Sequence, residues 1–145
     1  MIKLKNTYSI GVLVMFYEIE MFKEYIDACI QTINEVENKE NIHFDFCFNI
    51  SQYWETIDKD KITVKELNKK FEKQMDRLRD NGISNINVDI KDDSCPVYNI
   101  AAYRRDLNYN YCDKVDFVLW GETDSLWPKE TFHSIESVSD YAKQS

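Results

Sequence analysis

Ser9–Phe16 reads SIGVLVMF, a near-continuous apolar run rich in branched side chains. Such a run suits a strand buried on both faces, as strands inside a parallel sheet are. Downstream, Phe22, Tyr25, Ile26, Cys29, Ile30, Ile33 and Val36 recur at spacings of three and four, which predicts an amphipathic helix from Met21 to Val36. Phe44, Phe46, Phe48 and Ile50 then alternate with Asp45, Cys47 and Asn49, the pattern of a second strand with one polar side. Val64, Leu67, Phe71, Met75 and Leu78 form a second helical stripe, and Asn81-Gly82 closes it as a left-handed cap would. Ile86, Val88 and Ile90 alternate in a short third strand. Ile100, Tyr103, Leu107 and Tyr111 mark a third helix, and Val115–Trp120 (VDFVLW) a fourth strand. Pro128 suits the first turn of a last helix, Lys129 to Ala142.

The order is therefore strand–helix four times over, which predicts an α/β fold: a mainly parallel sheet flanked by helices. The first and fourth strands are the most apolar and belong in the middle, so the expected strand order is 3-2-1-4. In sheets of this doubly wound kind, ligands bind beyond the carboxyl ends of the central strands, where the order reverses. Those ends are Phe16-Tyr17-Glu18 and Gly121-Glu122-Thr123-Asp124.

The chain has 145 residues, which fits one domain spanning 1–145. Hydrophobic residues make up 43% and charged residues 30%, so a core can form and a wholly disordered chain is excluded. No apolar run reaches the roughly 18–20 residues of a membrane span, so no transmembrane segment is expected. Lys3 and Lys5 precede a short apolar stretch with no small-residue cleavage site, so no signal peptide is read. The net charge of −8 argues against nucleic acid or an anionic membrane as partner. An anionic ligand then needs a metal ion or a local arginine. The four cysteines, Cys29, Cys47, Cys95 and Cys112, are widely spaced. They suggest neither a zinc knuckle nor a disulfide framework, but reduced packing thiols and a cytoplasmic setting.

The sharpest chemical feature is Trp120-Gly121-Glu122-Thr123-Asp124-Ser125. Alternate residues at a strand end point the same way, so Glu122 and Asp124 can converge. Converging carboxylates repel unless a cation lies beside them, and oxygen ligands favour Mg²⁺ or Mn²⁺. Gly121 leaves room for close backbone approach. A solvated acidic loop is the competing reading. Arg104 and Arg105 are adjacent and face different sides of their helix; one is expected to reach a diphosphate or an acidic partner, the other solvent. Ala101 and Ala102 would let that helix approach the sheet closely. Asn49 and Ser51, after the second strand, either meet a base or ribose or form a turn. Trp120 is expected to fill core, while Trp127 is open between core and sugar stacking. His43 and His133 flank no serine or cysteine in a nucleophile context, so no hydrolase triad is read, and His133 is expected in packing or solvent. Neither GxGxxG nor GxxxxGK[ST] occurs.

These residues resemble the A-type glycosyltransferases, most of all their family-2 group. SIGVLVMFYE resembles the opening nucleotide-binding strand. IAAYRRDL resembles the small-residue helix ending in an Arg-Asn pair, with Arg105-Asp106 in the matching places. VDFVLWGETD resembles the strand that leads into an Asp-x-Asp motif. The likeness covers roughly residues 8 to 132 and rests on short motifs. It implies a nucleotide-diphospho-sugar transferase-like fold, a nucleotide-sugar donor, and Mn²⁺ or Mg²⁺ held by Glu122 and Asp124. Tyr17, Asn49, Ser51, Arg105 and Thr123 would then line the donor site. The chain departs from the family in having Glu122 first in the acidic pair and Asn49 and Ser51 in place of an acidic residue. It also has no glycine ahead of the small-residue helix. Family members continue with a second half that binds the acceptor and carries the base of inverting enzymes, so the expectation is a donor-binding half. The acceptor is unknown, and the rest of the machinery would come from a partner chain or a second copy. Binding without turnover, and a protein-interaction α/β domain, are the alternatives.

Overall fold

A computed structural model describes residues 1–50, 64–91, 100–111 and 113–144. Its centre is a four-stranded sheet made of β1 (Tyr8–Met15), β2 (Ile42–Asn49), β3 (Asn85–Lys91) and β4 (Phe117–Gly121). All neighbours pair in parallel and the order is β3-β2-β1-β4, as expected, but β2 and not β4 joins β1 in the middle: β2 is buried along almost its whole length, while β4 lies at an edge of the described sheet. The helices are α1 (Ile19–Ile33), α2 (Val64–Asp80), α3 (Ile100–Tyr111) and α4 (Thr131–Gln144).

Strand period two sorts the side chains into two faces. Tyr8, Ile10, Val12 and Val14 of β1 lie with Phe44, Phe46 and Phe48 of β2 in the main core, together with α1, α2 and Phe132 of α4. Aromatic rings knit this side: Phe22 stacks on Phe71 at 5.3 Å, Phe48 on Phe71 at 4.6 Å, and Phe132 meets Tyr8 edge-on at 4.9 Å. The opposite face is covered by α3, with a small cluster of Leu13, Cys47 and Tyr103. The close approach of α3 is made over Gly11, where a Cβ would overlap Leu107 and stand 2.9 Å from the Tyr103 hydroxyl. That contact brings α3 close to the sheet.

Local chemistry fixes the ends of the elements. Gly82, at φ +95°, turns the chain off α2, with its N–H on the Arg79 carbonyl and the Ile83 N–H on that of Leu78. This pairing satisfies carbonyls that the last helical turn leaves open, as the sequence anticipated. α1 stops at Ile33, three residues before the predicted end. Val36 continues the apolar period, but it is buried by a short bridge to Ile2 rather than by helix. Pro128 lies ahead of α4, and its carbonyl accepts from the Thr131 N–H and hydroxyl. Cys95 and Cys112 fall outside the described residues. Cys29 and Cys47 are free and buried, and burial pushes both thiols up to about 12, so they pack and stay protonated. No helix among the described residues is long and apolar enough to cross a membrane.

Candidate functional site

The site is built at the carboxyl ends of the neighbouring strands β1 and β4. A chain leaving β1 must turn into α1, and Phe16–Glu18 does so as one 3-10 turn. The Glu18 carboxylate takes the Met15 N–H at 2.9 Å on one oxygen and the Thr123 hydroxyl at 2.5 Å on the other. One side chain thus ties the end of β1 to the turn after β4. A second tie lies deeper: the Trp127 indole N–H donates to the Tyr25 hydroxyl at 2.5 Å. Gly121 packs against that hydroxyl so closely that any Cβ would collide with it. The open side of Gly121 therefore receives Tyr25, not a ligand as the sequence suggested. Burial raises the Tyr25 hydroxyl well above its ordinary value, so it is a neutral partner here.

β4 ends at Gly121, and Glu122–Ser125 forms a turn closed by the Ser125 N–H on the Glu122 carbonyl at 3.0 Å. The alternation expected to align Glu122 with Asp124 therefore stops one residue short of the pair. Thr123 points inward to Glu18, while Glu122 and Asp124 are exposed. Glu122 accepts a hydrogen bond from the Arg104 guanidinium of α3 at 2.7 Å. Asp124 makes no hydrogen bond or ion pair among the described residues.

Arg104 is the arginine that reaches the acidic turn. Its guanidinium also lies over the Trp120 ring at 5.3 Å. Arg105, the one matched to the family motif, is 75% exposed and folds back on Asp106 at 3.2 Å. The structure thus divides the pair into one arginine at an acidic partner and one in solvent. Trp120 does not fill core: it is 46% exposed, because β4 lies at the edge of the described sheet and Trp120 faces the side that α3 covers. Trp127 is half-buried and packs against the core.

The remaining expected residues are dispersed. Tyr17 is exposed next to the Glu18 tie, with its ring edge-on to Phe16 at 5.3 Å. Asn49 is buried at the carboxyl end of β2, on the α3 face. Ser51 falls outside the described residues, as do Asp92, Asp93 and Pro96. His133 stands 3.7 Å from Glu35, away from the acidic turn. Tyr17, Glu122, Thr123 and Asp124 sit at the mouth of β1 and β4; Asn49 lies at the neighbouring strand end, and Arg105 on the outer flank of α3.

Glu18, Tyr25 and Arg104 are the residues that organise the mouth. The sequence carries one signal for them: Glu18 stands three residues after Met15, the spacing at which a carboxylate reaches back to a turn-opening N–H. Among the described residues no cluster of three or more His, Cys, Asp or Glu is placed to hold a metal. A cation bridging protein and diphosphate needs less, because magnesium commonly takes one or two carboxylates and completes its shell with water and phosphate. Glu122 and Asp124 are both exposed at the turn, and Glu122 is paired with Arg104. The Arg104 pair is a small obstacle: an ion pair this exposed contributes roughly 0–1 kcal/mol. The chain matches no protein family, no curated protein and no solved structure.

Proposed function

We propose that this chain is the donor-binding half of a metal-dependent glycosyltransferase, taking a nucleotide-sugar and passing its sugar to an acceptor. The observation that carries the reading is the acidic turn Glu122-Thr123-Asp124, which leaves β4 opposite Val12, three residues before β1 ends, and is tied to the turn after β1 by the Thr123–Glu18 bond. This is the reversal point of a 3-2-1-4 parallel sheet, where such folds bind ligands. Mn²⁺ or Mg²⁺ held by Glu122 and Asp124 would supply Lewis-acid stabilisation of the charge on the leaving diphosphate. The chain's own contribution is positional. Glu18 and Thr123 hold the two strand ends together, so the turn presents its outward carboxylates from a fixed base. Tyr17 offers an exposed ring for the base or sugar. Arg105 is free enough to swing towards a diphosphate, its bond to the adjacent Asp106 being exposed. The buried free thiols agree with a reducing, cytoplasmic setting.

Transfer also requires a catalytic base, and none of the described residues is assigned that role. Binding without transfer is the second reading. Titration calorimetry with Mn²⁺ and uridine or guanosine diphosphate tests the proposal. The parent should bind, and Asp124→Ala should lose at least about tenfold in affinity, as removal of a charge-assisted ligand does. Its melting point should stay unchanged, because Asp124 is exposed and makes no bond. Equal affinity of mutant and parent, or no binding by the parent, overturns the reading. Donor hydrolysis with Mn²⁺ separates transfer from binding alone.

A further inference from the structure

We infer that the groove between the outer flank of α3 and β4 binds an anionic saccharide, a sugar ring carrying a phosphate or carboxylate, through Arg104 and Trp120. The groove is shallow and open to solvent, has a volume of about 430 Å³ and is lined by Arg104, Arg105, Asn108, Tyr109 and Trp120. The four helical positions stand one and four apart, so they share a single flank of α3, while Tyr103 and Leu107 turn inward to the sheet. Three properties of this flank select the ligand.

The first is charge. Two adjacent arginines line one groove in a chain of net charge −8. Arginine forks match the paired oxygens of phosphate and carboxylate. The second is exposed ring surface. Trp120 is 46% and Tyr109 83% exposed, in a fold that fully buries eight other aromatic side chains, from Tyr8 to Phe132. An aromatic face at a polar rim suits the apolar face of a sugar ring, and the Asn108 amide can meet its hydroxyls.

The third is an unfilled donor. The Arg104 Nε is buried and has no hydrogen-bond partner among the described residues. Arg104 meets Glu122 through Nη2, the nitrogen that shares the two-pronged edge of the guanidinium with Nε, so that edge is only half used. An anion accepting from both would satisfy it, once the guanidinium turns off the Trp120 ring. Release of Glu122 permits that turn. Occupation of the groove is thereby coupled to the acidic turn: whatever takes Glu122 away from Arg104 frees the arginine for the anion. In the proposed enzyme this is the behaviour of an acceptor subsite that tightens when the donor side is filled. That last step rests on the glycosyltransferase reading, whereas the anion site itself does not.

The test is metal-free binding of glucose 6-phosphate and of glucuronate, read by quenching of tryptophan fluorescence and by calorimetry, with inorganic phosphate and glucose as the separate halves. The sugar acids should bind about tenfold more tightly than either half, since ring stacking and the arginine fork act together. A preference between the two probes identifies phosphate or carboxylate as the anionic group. Tyr109→Ala, a substitution at a highly exposed ring, should weaken binding by roughly threefold, and Arg104→Ala by at least about tenfold. Glu122→Gln should strengthen it by about fivefold, a gain that a folding defect cannot imitate. No binding of either sugar acid, equal binding of inorganic phosphate, or a Glu122→Gln variant that binds more weakly than the parent overturns the inference. Nucleoside diphosphate binding with Mn²⁺ in the same preparation keeps the two proposals apart: donor without sugar acid rejects this one alone, and sugar acid without donor rejects the other alone.

Discussion

The face of the sheet beneath α1, α2 and α4 carries Tyr8, Ile10, Val12 and Val14 beside Phe44, Phe46 and Phe48; the face beneath α3 carries Ser9, Gly11, Leu13 and Met15 beside His43, Asp45, Cys47 and Asn49. The same two strands thus build an interior on one side and a polar platform on the other. On the first side every ring finds another ring. On the second, several polar groups find each other, although the buried Ser9 hydroxyl finds no partner among the described residues: His43 Nε2 lies 3.0 Å from the Tyr111 hydroxyl, Asn87 donates to Asp45 at 3.3 Å, and the Tyr103 hydroxyl donates to the Asp45 carbonyl at 2.5 Å. Both candidate ligand features, the Arg104–Glu122 contact and the Trp120 groove, involve α3. The difference teaches where stability and chemistry are separated in this fold: the triple-helix side supplies burial, and the thinly covered side keeps groups that a ligand can use.

The largest effect that would break this contrast is in the core. Phe46 is fully buried and meets Phe22 at 5.4 Å and Phe44 at 5.5 Å. Phe46→Ala should lower unfolding stability by about 3–5 kcal/mol, the usual range for a buried aromatic truncation. Leu13, on the α3 face, is 8% exposed and belongs to a cluster of only three buried residues. Leu13→Ala should fall near the lower end of its own range, about 2 kcal/mol, because a lone helix can settle into the space. Urea unfolding of the two variants decides it, and equal losses would mean that both faces hold the fold alike.

The contrast explains which parts of the molecule were legible in the sequence. The strands, their parallel arrangement and their order could be read because burial writes itself as period: SIGVLVMF, buried along nearly its whole length, stands in the middle, and the alternating Asn85–Lys91 lies at an edge. Trp120 was misjudged because its apolar neighbours belong to an edge strand, where one flank is open. The ties that build the site leave no periodic trace. Glu18 meets Thr123 across 105 positions and Arg104 meets Glu122 across 18, so only the folded chain brings them together. The acidic pair was visible as composition, but its geometry was not, since nothing in the sequence says that extended backbone ends at Gly121.

Two carboxylates sharpen the contrast through pH. Glu136 of α4 accepts from the Lys5 N–H at 2.5 Å, the Asn6 amide at 2.6 Å and the Tyr8 hydroxyl at 2.6 Å. Burial alone would raise its pKa, but these donors favour the charged form and hold it below the ordinary 4.5. Its contribution to stability is therefore complete above the ordinary value and is lost as pH falls through the lowered one. Glu136→Ala strands three donors and should cost roughly 1–3 kcal/mol at pH 7, with a smaller loss near pH 3. Thermal unfolding at the two pH values reads the difference, and an equal loss at both would remove the charge from the account.

Asp45, on the α3 face, has the opposite slope. Burial raises its pKa above the ordinary 3.8, and the Asn87 bond, His43 and the Tyr111 hydroxyl only partly offset that. The folded state therefore prefers the neutral acid. Its penalty is absent below the ordinary value, develops as pH rises towards the folded one, and is complete above it. Asn at this position keeps the shape and an acceptor for the Asn87 amide, and the Tyr103 bond goes to the backbone carbonyl, which the substitution leaves in place. Asp45→Asn should accordingly raise stability at pH 7 by on the order of 0.5–1 kcal/mol and change it little near pH 3. Melting curves across that interval would show the gain growing with pH. A loss at pH 7 would show instead that the charged form is stabilised in place, and that the α3 face is as well adapted to its carboxylate as the α4 side is to Glu136.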